Sequence, residues 1–508
     1  MAGQVQRAVN LARQGLEQGE RAPLFLTLRA RWLEANDRPL DAAADLEEAL
    51  LATPGDPALL STLSRVLNAA GRYVRAAAAA QTALEADATA VEAHFQLGFS
   101  LEQQGELDAA RGVYEEAARL DPAEPDALAR LAGLAARRGD WMAARSLAAR
   151  APDRAASRFA LIMADLAQGK SAQAEASARQ IAVVPGLAPA IRAGALGFLA
   201  DALDAQDRTD EAFAAYCEAR ALQRSLARGQ FAETGGQFAA RMEAEFAALP
   251  AWPGDETASS RSPIFVLGFP RSGTTLLTEI LAGHPGAIVL DETPTLRDAI
   301  LDSTGQSGGQ SGGLSRLAAA DPATLAAWRA RYWQRAGADG DVVVDKGPFN
   351  TLHLPVIARL FPGARIVFAL RDPRDAVFGS FRRQFAVTPY TYELLSLESA
   401  ARFYDQTMRL GQIYRARLPL RILDLRNEDL VADPDGTVAK LCAFLGLQPT
   451  PAMTDFASRP HRAIASPNAA RLAQGIRGQA AQWRRYAGHM APVLPLLAPW
   501  VARFGYAP

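Results

Sequence analysis

PIFVLGFPRSGTTLLTEIL, Pro263 to Leu281, is the most informative stretch of the chain. Its apolar run, Ile264 to Leu267, reads as a short buried strand. The run enters a tight loop, Gly268-Phe-Pro-Arg-Ser-Gly273-Thr274-Thr275, and an amphipathic helix starts at the threonines. Strand, glycine loop and helix N-terminus make an anion cradle, because loop N–H groups point inward and the helix dipole adds partial positive charge. The spacing is that of a phosphate-binding loop, G-x-x-x-x-G-x-[ST], with Thr274 in the position where nucleotidases carry a lysine. Positive charge comes earlier here, from Arg271 within the loop. The expected ligand is a phosphate-bearing nucleotide other than ATP held with magnesium.

From Pro263 onward apolar runs alternate with helical stretches. VVVDKG (Val342 to Gly347), ARIVFALRD (Ala364 to Asp372) and LRILDLR (Leu420 to Arg426) read as further buried strands. Strands separated by helices predict a three-layer α/β domain, with a parallel sheet covered by helices on both faces. Before it, the first 220 residues repeat. Gly71, Gly105 and Gly139 recur at a step of 34, and Asp37 falls on the same phase one period earlier. Leu63, Leu97 and Leu131 keep that step, as do Ala76, Ala110 and Ala144, and Tyr73, Leu107 and Trp141. Paired helices at this period are the tetratricopeptide pattern, and such units stack into a solenoid because each leaves an apolar face for its neighbour. Later units are degenerate, with turns at Gly169 and near Asp207. The expected organisation is a repeat solenoid over 1–225, a capping helix and linker over 226–258, and the α/β domain over 259–508.

Composition sets the bounds. At 508 residues the chain holds two or three domains. A net charge of −1 argues against bulk nucleic-acid binding. The start, MAGQVQRAVNLARQG, has no apolar core of signal-peptide type, and no run of 18 apolar residues occurs, so no membrane span is expected and a cytoplasmic location is. Cys217 and Cys442 lie too far apart in sequence to suggest a disulfide framework or a zinc site. Lysine is confined to Lys170, Lys346 and Lys440, against 51 arginines, so a lysine among functional residues is informative. Residues 302 to 316 are rich in Gly, Ser and Gln and read as a surface loop.

Ligands of parallel sheets bind outside the carboxyl ends of the strands. The polar residues expected there are the glycine loop, Asp291-Glu292-Thr293 after AIVL, Asp345-Lys346 closing VVVD, and Arg371-Asp-Pro-Arg374-Asp closing IVFAL. With PRSGTT, HPG, DET, DKGPF and RDPR in that order, the region from Pro263 to about His489, roughly 45% of the chain, resembles the sulfotransferases, and their protein-tyrosine branch in particular. A tetratricopeptide region ahead of such a domain is a recurring bacterial arrangement.

The resemblance implies a co-substrate, 3'-phosphoadenosine 5'-phosphosulfate, and no metal. It implies that Arg271, Ser272, Gly273, Thr274 and Thr275 hold the 5'-phosphosulfate. Arg371 would take the 3'-phosphate, where a bidentate guanidinium suits the dianion. The family pattern has a serine eight residues after that arginine; here the eighth is Gly379 and Ser380 is ninth. Arg477 and Gly478, followed by Trp483, resemble the segment that closes over the 3'-phosphate. Glu292, 21 residues after Arg271, matches the general base, with Asp291 beside it as the alternative, and Lys346 matches a lysine on the leaving phosphate. Many cytosolic sulfotransferases use a histidine base instead, for which His353 and His284 are the nearby candidates, ranked below Glu292. The acceptor hydroxyl stays open: protein tyrosine, a sugar, a lipid or a small phenol. The repeats would recruit an acceptor or a protein partner. Two other classes compete with this reading. A P-loop kinase-like phosphotransferase would need a lysine before Thr275. A non-catalytic repeat scaffold would not need Arg271, Glu292, Lys346 and Arg371 intact.

Overall fold

The computed structural model describes residues 2–36, 38–253, 261–304, 313–338, 340, 342–455 and 481–507. They divide into two compact units, Met1–Gln168 and Gly169–Pro508.

The first unit is built of helix pairs. Pro57–Ala69 pairs with Tyr73–Ala86, Val91–Gln103 with Leu107–Leu120, and Pro125–Arg137 with Trp141–Arg150. The phase read from the sequence is physical. Gly71, Gly105 and Gly139 turn the chain at φ of +69°, +85° and +80°, a left-handed conformation that glycine adopts without a Cβ penalty. Ala76, Ala110 and Ala144 are fully buried where paired helices approach most closely. A buried polar bridge joins successive pairs: Asn68 donates to Gln96, and Ser100 donates to Asn68. This is the tetratricopeptide solenoid that the 34-residue period predicts. Asp37, one period earlier, lies outside the described residues.

The second unit opens with four helices, α1 (Ser171–Ala182), α2 (Pro189–Asp204), α3 (Thr209–Ala227) and α4 (Gly235–Ala248). The α2–α3 turn uses Asp207 at φ +59°, the position glycine holds in earlier repeats. The helix expected to cap the repeats, α4, lays Phe246 edge-on to Tyr414 and donates its first N–H to the carbonyl of Pro389.

Five parallel strands follow: β1 (Ile264–Gly268), β2 (Ala287–Asp291), β3 (Val342–Lys346), β4 (Arg365–Leu370) and β5 (Arg421–Arg426). Their order is β2-β3-β1-β4-β5. Alternate residues face opposite sides. Val266, Val344 and Val367 pack with Leu277, Ile280 and Leu281 of α5 (Thr274–Ala282) and with Leu441 and Leu445. On the other side Phe265 meets Tyr332 and Phe361. Helices therefore cover both faces, and every strand points its carboxyl end to one edge. Among the described residues no helix is long and apolar enough to cross a membrane. In the Gly/Ser/Gln-rich stretch, 305–312 lie outside the described residues.

Candidate active site

The loop leaves the central strand β1 and enters α5 as the sequence predicts. Arg271 sits at φ +67°, an uncommon conformation for a residue with a side chain. Gly273 is the N-cap at φ +97°, and a Cβ built there would lie 2.5 Å from Asn427 Oδ1. Two independent constraints thus require glycine: the dihedral and the approach of Asn427 from the end of β5. Among the described residues no side chain caps α5. Its first-turn N–H groups have no helical acceptors, so they form the floor of the cradle. Ser272 and Thr274 are buried and Thr275 is half-buried.

The neighbouring strand end supplies the lysine that the loop lacks. Lys346 ends β3, its side chain only 4% exposed, and its ammonium donates to Glu292 Oε1 at 2.7 Å and pairs with Asp291. Burial lowers the ammonium pKa, but the two carboxylates outweigh it and hold it above the ordinary lysine value. Both carboxylates are more than half exposed, at 64% and 57%. Glu292 adopts φ +54° and donates its N–H to the carbonyl of Lys346 at 2.8 Å, which fixes its position just past β2. Strained backbone of this kind clusters at functional sites.

Arg371, just past β4, donates to the carbonyl of Arg271 at 3.3 Å, so the guanidinium lies directly beneath the loop. Its other flank is 3.6 Å from Asp375, one turn further along α6 (Pro373–Arg382). Ser380 on the same helix is buried and donates to the carbonyl of Pro270 at 3.0 Å. The ninth-position serine is thus turned inward to the loop, and its one proton goes to the loop backbone. Arg477 and Gly478 lie outside the described residues. Trp483, which follows them, is described: Arg374 stacks on its ring at 4.3 Å.

The two histidines sit elsewhere. His353 is buried against Phe238 and Tyr390, its Nε2 2.9 Å from the Tyr390 hydroxyl, and burial pushes its pKa down to about 3. It is neutral, and its Nε2 is engaged with a tyrosine hydroxyl. His284 lies in the turn after α5, where its N–H bonds back to Leu281.

Two carboxylates that the sequence placed at strand ends without assigning them a role have definite partners. Asp375 accepts the N–H groups of Ala481 and Trp483 at 2.7 and 2.9 Å, and so ties the C-terminal segment to Arg371. Its place four residues after Arg371, at the start of a helix, was the available signal. Asp345, behind Lys346, is fully buried and accepts from Thr295 and Tyr332 at 2.6 and 2.7 Å; burial pushes its carboxyl up to about 6.

Around one sheet edge the geometry therefore joins an anion loop without its own lysine, a lysine from the next strand, an arginine beneath the loop and an exposed glutamate. Residues 263–451 match the model of the sulfotransferase family, and residues 91–134 match a tetratricopeptide repeat. The chain joins tetratricopeptide repeats to a sulfotransferase-family domain. Protein-tyrosine sulfotransferase 1 of Danio rerio is 25% identical over 36% of this chain and 53% of its own length. Protein-tyrosine sulfotransferase 2 of Gallus gallus is 26% identical over 36% of this chain and 51% of its own. An uncharacterized protein of Aquifex aeolicus (strain VF5) is 24% identical over 47% of this chain and 32% of its own. The chain spans less than two thirds of the length of the curated relatives named here. All five strands and both cation-bearing strand ends fall within the sulfotransferase-family segment.

Proposed function

We propose that this domain transfers a sulfuryl group from 3'-phosphoadenosine 5'-phosphosulfate to an acceptor hydroxyl, with protein tyrosine the preferred acceptor. The observation that carries the reading is the placement of Lys346. The loop has threonine where a nucleotidase has lysine, and the cation arrives from β3, between two carboxylates. A cation so placed serves a donor whose transferring group lies between the loop and an attacking hydroxyl. The loop fits such a donor: open N–H groups at the start of α5, Arg271 beside them and Arg371 below give two separate seats for phosphate.

Each residue then has a definite task. The N–H groups of Gly273 to Thr275, with the hydroxyls of Thr274 and Thr275, bind oxygens of the 5' group. Arg271 neutralises charge there. Arg371 takes the 3'-phosphate, with Asp375 holding the guanidinium from behind. Glu292, solvent-facing and hydrogen-bonded to Lys346, accepts the proton of the attacking hydroxyl. Lys346 stabilises negative charge that develops on the leaving oxygen, as fixed cations do in phosphoryl transfer. The repeats are the surface for a protein acceptor or partner, and the expected compartment is the cytoplasm. Tyrosine is preferred because the named relatives are protein-tyrosine sulfotransferases.

Calorimetric titration with adenosine 3',5'-bisphosphate in the presence of a chelator tests the donor site. Tight binding with ATP a poor competitor is expected. Equal competition by ATP would return the domain to the phosphotransferase class. Transfer from labelled donor to tyrosine peptides, sugars and small phenols then ranks the acceptors.

A further inference from the structure

Helix α6 carries Asp375, Gly379 and Ser380, and begins just after Arg371. Everything it presents to the donor loop depends on where its C-terminal turn lies. That turn ends in carbonyls with no helical partner, which a neighbour must satisfy.

The neighbour is a repeat helix. Arg220 of α3 is 1% exposed, although arginine is rarely fully buried. Its Nε donates to the carbonyl of Phe381 and its Nη2 to the carbonyl of Arg382, both at 2.8 Å, while Nη1 donates to Gln223 at 2.5 Å. A planar guanidinium therefore spans the last two carbonyls of α6, at the end where the helix dipole favours a cation. Burial pushes its pKa down to about 10, and it remains charged at neutral pH. A second clamp closes the same end. Asp204, the last residue of α2, accepts from Arg382 at 3.0 Å with one oxygen, and from Arg485 and Tyr486 at 2.7 Å with the other. Between the clamps the rings interleave: Phe381 lies 5.8 Å from Phe213 and 6.4 Å from Tyr216, and Phe378 lies 4.4 Å from Tyr486.

From this capped end the contacts run straight to the loop. Ser380 donates to the carbonyl of Pro270, and a Cβ on Gly379 would be 3.4 Å from Arg271 Cβ. We infer that Arg220, seconded by Asp204, is a positioning residue for the nucleotide site: the last repeat helices set the seat of α6 and, through Ser380 and Gly379, the donor loop. The inference rests on the sulfotransferase reading for the identity of the ligand. It changes the role of α2 and α3, which act on the donor side as well as on any partner. A truncation at residue 220 removes both clamps and disables nucleotide binding along with partner recruitment.

The test uses the full-length chain at a temperature where every variant is folded. Arg220→Met keeps the bulk of the stem but leaves two carbonyls uncapped. Arg220→Lys keeps the charge and can satisfy one of them. The control is Arg224→Met on the same helix, whose guanidinium bonds to Ser396 and Ser399 and lies over Tyr392, all outside α6. Affinity for adenosine 3',5'-bisphosphate is read by titration, and backbone hydrogen exchange is read over 268–275 and 373–382. Arg220→Met is expected to bind about 10- to 100-fold more weakly, the effect of a displacement of about 1 Å at a site fixed by distant groups. Arg220→Lys should recover part of the loss, and Arg224→Met should bind like the wild type. Exchange should rise over both segments in Arg220→Met only. Wild-type affinity in folded Arg220→Met, or an equal loss in Arg224→Met, overturns the inference. If Arg220→Met does not fold, Asp204→Asn decides: a several-fold loss supports the coupling, and unchanged affinity refutes it. A wild-type chain that binds no bisphosphate would refute the donor assignment alone, because the exchange measurement still tests the link between α3 and the loop.

Discussion

Replacing Lys346 with methionine separates catalysis from stability. The ammonium is nearly buried and bonded to Glu292 at 2.7 Å, with Asp291 as its second partner. Removing one member of a buried ion pair typically costs about 3–5 kcal/mol, because the other charge is left stranded without solvent. Here the stranded partners are the exposed ones, so water replaces the lysine. Methionine fills the space of the stem and removes the desolvation cost of the ammonium. The expected stability change is within about 1 kcal/mol of zero. Turnover should behave differently. Loss of one preorganised charge at a developing anion costs about 2.7–4 kcal/mol, a fall of roughly 10²–10³ in the chemical step. Single-turnover transfer from labelled donor, with a thermal melt alongside, measures both. Glu292 supplies an internal contrast. Glu292→Gln should lose roughly 10²–10⁴ in turnover and regain it with a phenol that is already ionised, since no proton then needs to be taken. Lys346→Met should gain nothing from that phenol, because its defect is on the leaving side. Turnover of Lys346→Met within about threefold of wild type, or its rescue by the ionised phenol, would refute this assignment of roles.

Three further outcomes follow from the same geometry. Arg371→Ala should weaken adenosine 3',5'-bisphosphate by about 2–4 kcal/mol while sparing adenosine 5'-phosphosulfate, which lacks the 3'-phosphate; equal losses by titration would give Arg371 another role. Gly273→Ala should abolish nucleotide binding and lower the melting temperature, since the left-handed dihedral alone costs about 1–2 kcal/mol and the new Cβ meets Asn427; normal binding would mean the loop is not held as described. Asp345 gives a pH dependence with a fixed sign. Its carboxyl titrates near 6 when folded against a reference of 3.8, so the folded chain binds that proton more tightly, and its contribution to stability falls as pH rises from about 4 to about 6, by about 3 kcal/mol in full. Asp345→Asn should remove that slope from unfolding free energies measured between those limits, and an unchanged slope would place the titration elsewhere.

Much of this was written locally. The 34-residue step survives as left-handed glycines and buried alanines, because a repeat unit contacts mainly its sequence neighbours and must satisfy the same sterics each time. The loop was legible for a related reason: its two glycines, the threonines and the apolar strand all lie between Ile264 and Thr275. Lys346 stood out because lysine is so scarce here. What escaped the sequence depends on chain segments meeting across long separations. Asp375 lay inside a motif already noted, yet its work is to receive residues 481 and 483. Ser380 looked one position out of register by helix geometry. The structure nevertheless turns it to the loop, where its hydroxyl donates to the carbonyl of Pro270, while Gly379 faces the Arg271 side chain at contact distance.

Arg220 is the clearest case of an illegible residue. In sequence it is one arginine among 51, on a helix of ordinary polarity. Its partners lie more than 160 residues away and are backbone carbonyls, which leave no side-chain signature. Yet its burial excludes a passive role. A guanidinium withdrawn from water is costly unless its charge is balanced and its donors are matched; the buried Asp201 carboxylate supplies charge nearby, and the matching acceptors are the open end of a helix. The requirement is mutual: α6 needs a cap at that end, and Arg220 needs acceptors. That reciprocity explains why the last repeat helices belong to the same compact unit as the catalytic sheet.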